Sequence, residues 1–415
     1  TVEVRQKGHL KITGCGPGTR IVATTEAALS FIGCKSVSVR DLYAETSAVA
    51  TGERLNGALT FIDTPRVTVK HVDAKCGAGA DPGATCITVR NNIQLAGEVN
   101  IQYCNLEIGY QQQGILLVNT QRAHVENNML RVYAKPASLT AANLMLSAKY
   151  KASLRYQLIS NARFQSGSEN AQNVHLSYRN HELYFRAHKM LARTAWQELF
   201  DANPPPQGRI GSHEDLLWYV YDLADRIYND ETFRNRFRLF RTLALSTLEQ
   251  DTAAAAQGIT VAGQMAGDVR ILNNTITGAR QGIHVGLSHR AAANVHDVAD
   301  ALLIAGNTID IQLTSLVGNL DRHGIYVGNV NSAVIEDNVI RLQRAENAAD
   351  FLIDGIRIWG VLGQRIMVTK NHIYSADNNV KNSFDFGIHI EPLQQPATPQ
   401  WVVTWNVAPC RKATV

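Results

Sequence analysis

A chain of 415 residues with a formal charge of +4 is too long for one ordinary globular core, so it holds two or three domains or a repeat that grows in one dimension. Hydrophobic residues make up 45% and charged residues 18%, which excludes a disordered chain, a collagen-like chain and a small disulfide scaffold. No apolar run approaches the roughly 20 residues that span a bilayer, and so thin a basic excess gives no footprint for nucleic acid.

The chain opens on strand-like text, TVEVRQKGHLKI, with no charged-then-apolar leader. The protein is expected to be extracellular or attached to a particle or surface, and to have flanking domains or to associate end to end, because open solenoid ends are normally covered. The segments FIGCKSVSVRDL from Phe31, FIDTPRVTVKHV from Phe61 and AGEVNIQYCNL from Ala96 are rich in Val and Ile with period-two alternation, the signature of short strands. The six cysteines are Cys15, Cys34, Cys76, Cys86, Cys104 and Cys410, with no CxxC pair and no metal-like His spacing. Most sit in strand text, where a free thiol behaves as a small buried hydrophobe. Cys76 and Cys86 bracket the loop GAGADPGAT; core thiols are the favoured reading, with pairing in an oxidising compartment as the alternative.

GILL from Gly114 and VENNML around Asn128 begin a pattern that is then interrupted. Residues 137–252 carry helical periodicity in SLTAANLMLSAKYKASLRYQLI, NHELYFRAHKMLARTAWQELFDA and HEDLLWYVYDLADRIYNDETFRNRFRLFRTLALSTLEQ, with NPPPQGRIGS as a linker. They are expected to form an α-helical insertion between N-terminal β coils over 1–136 and C-terminal β coils over 253–415, acting as a clamp, a protein-docking module or a spacer.

Gly-Ile-x-Val then recurs as GITV from Gly258, GIHV from Gly282, GIYV from Gly324, GIRI from Gly355 and GIHI from Gly387. Each is followed by an apolar-x-x-Asn-x-apolar turn, at Asn274, Asn307, Asn338, Asn371 and Asn406, which lie 33, 31, 33 and 35 residues apart. Three short strands per repeat suit a coil that stacks on its neighbours by parallel pairing. Asn at the turn tolerates a left-handed backbone and can bond to the Asn above it. These strands, the Asn ladder and ITGCGPGTRI at Ile12–Ile21, similar to a first-coil motif, resemble right-handed parallel β-helix proteins of the pectin-lyase-like superfamily over residues 1 to about 134 and 256 to 410. The resemblance implies an all-β solenoid of three strands per coil and about ten coils, with a substrate groove above the first-strand sheet, and it spans lyases, hydrolases, epimerases, tailspikes and adhesins.

With Ile and Val inward, Thr260, His284, Tyr326, Arg357 and His389 are expected to point outward in one exposed column, about 5 Å apart. Asp321, Arg322, His323, Asp354 and Asp385 fall just before these strands, and Glu391 just after the last. Such a stripe suits an acidic polysaccharide, since Arg grips carboxylates and Tyr stacks on sugars. In β-elimination Arg357 or His389 would be the base, with Arg322 or a divalent cation such as calcium neutralising the uronate; no cofactor motif is evident. In hydrolysis Asp354 and Asp385 form the pair to test, and their separation sets the stereochemical outcome. His284, His323, Tyr326, Arg322 and Glu391 are the expected binding residues. There is no adjacent Asp pair and no GHG, so a polygalacturonase pattern is missing. The rival reading is a non-catalytic structural or adhesive β-helix, a spike or surface-particle component, docking through its insertion.

Overall fold

A computed structural model describes residues 2–24, 27–47, 57–77, 84–109, 112–133, 162–164, 183–185, 257–262, 267–286, 298–313, 322–344, 353–379, 383–394 and 398–411. The chain divides into two compact units. The first, Thr1–Lys135 with Thr252–Leu316 and Leu320–Val415, is a parallel β-solenoid of about seven turns. The second is Pro136–Asp251 with Val317–Asn319. Its described residues are one short antiparallel pair, Ala162–Phe164 with Leu183–Phe185. Leu183–Phe185 is therefore extended where the periodicity predicts helix; three residues of Leu, Tyr and Phe suit either state, and pairing decides. The rest of the expected insertion lies outside the described residues. Among the described residues no helix is long and apolar enough to cross a membrane.

The period-two text of each coil becomes strands that pair in parallel with the same strand of the next coil. In the first sheet Gln257–Ala262 pairs with Gln281–Val285, which pairs with the start of Arg322–Glu336; that strand pairs with the start of Ile353–Thr369, and this one with Phe386–Gln394. Upstream the same ladder runs back through Gln113–Glu126, Thr85–Gln102, Gly57–Ile62 and Leu29–Ile32 to Val2–Arg5. The Ile and Val of the repeat do point inward: Ile259, Val261, Ile283, Val285, Ile325, Val327, Ile356 and Ile358 are buried in one continuous core. Phe31 and Phe61 stack inside it with ring centres 5.2 Å apart. On the outside of the third sheet, charges alternate along one file, with Glu107 between Lys75 and Arg131 and Asp310 beside Arg341.

The glycine of Gly-Ile-x-Val has a packing reason that alternation does not show. A Cβ on Gly324 would run into the carbonyl oxygen of Gly355 on the next coil and into the Cγ2 methyl of Ile340. Gly282 meets Gly324 and Ile309 in the same way, and Gly355 meets Gly387 and Ile373. The repeat therefore keeps a file with no side chain where one coil turns into the next. Gly324→Ala is expected to lower unfolding stability by about 1–3 kcal/mol, the usual cost of overpacking, as read by denaturant titration; an unchanged midpoint would show that the corner can relax.

The recurring Asn forms a continuous buried ladder. Asn307 donates through Nδ2 to Asn338 Oδ1 at 2.9 Å, Asn338 donates to Asn371 Oδ1 at 2.9 Å, and Asn371 to Asn406 Oδ1 at 2.9 Å. Asn128 and Asn274 continue it upstream, across the point where the repeat is interrupted in sequence. Each amide also holds a backbone carbonyl of the preceding coil, as Asn338 does Ile304 O at 2.9 Å. The left-handed residue of the turn is not the ladder Asn but the one before it: Asn127, Asn273, Gly306, Asp337, Lys370 and Trp405 all have φ between 53° and 66°. The division is physical. One residue reverses the chain and faces outward; the next turns its amide into the core, where only a group that both donates and accepts can continue the stack.

Four of the six cysteines, Cys34, Cys76, Cys86 and Cys104, are buried in the core as small apolar residues, while Cys15 is exposed; all six are free thiols.

Candidate functional site

The column read from the repeat is in register: Thr260 pairs with His284, His284 with Tyr326, Tyr326 with Arg357, and Arg357 with His389. A second column runs beside it, with Gln257, Gln281, His323, Asp354 and Phe386 paired in order. The spacing puts His323 and Asp354 just before the strands, among groups expected to converge on one face; Gln257 and Gln281, which it does not single out, complete the column. His323 packs on Tyr326 three residues further on and meets His284 of the neighbouring coil, so the residue before Gly reaches the same face as the x of Gly-Ile-x-Val. The signal was the residue before each Gly, as in QGIT, QGIH, HGIY and DGIR.

Exposure corrects the expectation of an open stripe. Thr260, His284 and Tyr326 are buried, and His323 is only 1% exposed. Their rings cover one another: His284 stacks on Tyr326 at 4.5 Å and 14°, and His323 packs on Tyr326 at 5.0 Å. His284 Nδ1 lies 3.1 Å from His323 Nε2, a contact that needs at least one neutral ring. Burial, then His284, Arg280 and Arg357, holds His323 well below the usual histidine range. The unfolded state therefore binds a proton that the folded ring refuses, so this contribution to stability is present above about pH 6.5 and is lost as pH falls below it. The melting midpoint is expected to drop on acidification from about pH 6.5 to about pH 5, and to drop less in His323→Gln, which places there the side chain that the same column carries at Gln281. Equal slopes for both proteins would remove His323 as the cause.

The accessible part of the face is at the C-terminal end. The side chains of Arg357 and His389 are 25% exposed and that of Glu391 is 51% exposed, whereas Asp354 beneath them is 5% exposed. His389 Nδ1 lies 3.3 Å from Asp354 Oδ2, Arg357 Nη1 lies 3.6 Å from the same oxygen, and Arg357 Nη2 lies 3.3 Å from Glu391 Oε2. Phe386 packs on the His389 ring at 4.7 Å. Asp354 Oδ1 and Arg357 Nε are buried without a hydrogen-bond partner among the described residues. Burial raises the Asp354 carboxyl above the usual carboxylate range; Arg357 and His389 pull the other way without cancelling it.

Asp385, expected to pair with Asp354 in hydrolysis, is otherwise engaged. One of its oxygens accepts the Ile353 backbone N–H at 3.0 Å and the other lies 3.6 Å from Arg411 Nη1, so it braces the strand that carries Asp354. Arg322 begins its strand, with its side chain outside the described part, and Asp321 lies outside it entirely. Among the described residues no three His, Cys, Asp or Glu side chains converge as a metal site. Another polar hollow, of about 200 Å³, lies on the second sheet between Glu98, Arg122, His124, Asp268 and Arg270, where Arg270 pairs with Asp268 at 2.8 Å. No family model, curated protein or solved structure matches the chain.

Proposed function

We propose that the chain is a carbohydrate-directed β-solenoid of the pectin-lyase-like kind, which binds an acidic polysaccharide on the outer face of the first sheet and cleaves it by β-elimination. The observation that carries the reading is the accessible group of Arg357, His389 and Glu391 over a buried Asp354. Arg357 presents a fixed cation to a uronate carboxylate, and that neutralisation acidifies the adjacent C5–H. His389, oriented through Nδ1 by Asp354, takes the C5 proton on Nε2; the electron pair forms the C4–C5 double bond as the C4–O bond breaks, and the leaving oxygen takes a proton from the imidazolium or from water. Asp354 stabilises the imidazolium as it forms. Buried His284, His323 and Tyr326 stiffen the face rather than grip sugar, and Asp385 braces it.

The second reading, a non-catalytic structural or adhesive solenoid, is favoured by that same burial, which shortens the accessible stripe. One panel separates the two. Acidic and neutral polysaccharides are incubated with the protein, with and without calcium, and followed by ultraviolet absorbance of unsaturated ends and by reducing ends. Elimination from a polyuronate raises both signals; reducing ends alone would replace elimination by hydrolysis. No product and no binding on any polymer would overturn the carbohydrate assignment.

A further inference from the structure

Two core thiols meet at a corner of the N-terminal coils. Cys76 ends the strand Arg66–Cys76 and Cys86 is the second residue of Thr85–Gln102; both are fully buried, and their sulfurs lie 3.8 Å apart. The contact is built by the repeat. The pairing of Leu59 with Ile87 and of Ile87 with Ile115 puts Ala58, Cys86 and Gly114 in one file, the file that carries glycine downstream. At Gly114 a side chain would run into Leu130 of the third strand; at Cys86 the file carries one, and it reaches the end of the preceding coil. Both backbones are held in place. Cys76 pairs with Thr46 in the ladder, its carbonyl accepts the Tyr133 hydroxyl at 2.8 Å, and Gly77 N–H bonds to Thr46 O at 2.7 Å. Cys104, also buried, turns its sulfur elsewhere, toward Gln102 O at 3.4 Å and Val69 O at 3.8 Å.

We infer that Cys76 and Cys86 are a disulfide-forming pair, which in an oxidising compartment staples the end of one coil to the start of the next and closes the intervening loop. Modest side-chain rotation separates sulfurs in contact from a bond of about 2.05 Å. The oxidant is a small-molecule disulfide such as oxidised glutathione. One cysteine thiolate attacks it, forming a mixed disulfide and releasing a glutathione thiolate; the second attacks the mixed disulfide, forming the Cys76–Cys86 bond and releasing the other. The pair loses two electrons and its two protons pass to the released glutathiones. The hydrogen bond with Cys86, then burial, push the Cys76 thiol well up, so exchange in the folded protein is slow and the bond forms while the coil assembles.

The full chain is refolded in a glutathione redox buffer or in dithiothreitol, then denatured, alkylated and peptide-mapped. The expected result from the redox buffer is four alkylated thiols of the six, a linked Cys76–Cys86 peptide and a higher melting midpoint than the reduced protein. Cys86→Ala, which restores the residue of the preceding coil at Ala58, should leave five alkylated thiols and no midpoint difference between buffers. Six alkylated thiols in folded protein from the redox buffer, or linkage among other cysteines with Cys76 and Cys86 free, would overturn the inference.

Discussion

Asn338→Ala is expected to destabilise the solenoid by about 3–5 kcal/mol, because it breaks a buried network rather than one bond. The side chain makes four hydrogen bonds: Nδ2 to Ile304 O and to Asn371 Oδ1, and Oδ1 from the Asn307 backbone and amide N–H groups. Alanine leaves each partner without its bond in a site with no solvent access, and an unmet buried polar group costs more than a made bond returns. Asn406 also makes four bonds, its Oδ1 accepting the Asn371 backbone and amide N–H groups and its Nδ2 donating to Val368 O and Thr404 O, but it is half-buried and water can replace the lost partners, so Asn406→Ala is expected to cost only about 1–2 kcal/mol. Denaturant titration of both variants checks the difference. Equal costs would mean that the ladder follows the fold without holding it.

Asp354→Asn is expected to reduce turnover on a polyuronate by about 10²–10⁴-fold while leaving the melting midpoint at neutral pH unchanged or raised. The carboxylate is buried, and its ionised form is disfavoured despite Arg357 and His389. The folded state therefore holds a proton that the unfolded state releases above about pH 4, and this group's contribution falls as pH rises through that window, opposite in sign to that of His323. Asparagine keeps the shape without the charge. Calorimetry beside steady-state kinetics reads both halves. A large fall in midpoint would make Asp354 a structural ion, and unchanged turnover would remove it from the chemistry.

The fold was legible because stacking converts a repeat of some thirty residues into direct neighbours, and the inward Ile and Val and the Asn ladder each leave one letter per coil. The register of Thr260, His284, Tyr326, Arg357 and His389 followed from the same letters. Exposure did not. Alternation says which side a residue takes, not that His284, His323 and Tyr326 shield one another there. The turn was half legible: Asn marks the ladder, but Lys370 and Trp405 carry the left-handed conformation without being turn formers, because the neighbouring Asn and the strand ladders fix the backbone around them. Asp385 read as a catalytic carboxylate because its bonds to Ile353 and Arg411 join segments far apart in sequence.

Disulfide trapping tests most directly whether the winding brings Arg357 and His389 together. Their Cα atoms are partners in adjacent coils, about 4.8 Å apart, inside the range a disulfide can bridge. Tyr326 and His389 are two coils apart, at about twice that spacing and outside it. Under mild oxidation the pair Arg357→Cys with His389→Cys should give a linked peptide in high yield, and Tyr326→Cys with His389→Cys should give none. Linkage in the second pair and not the first would contradict the register on which the site is built.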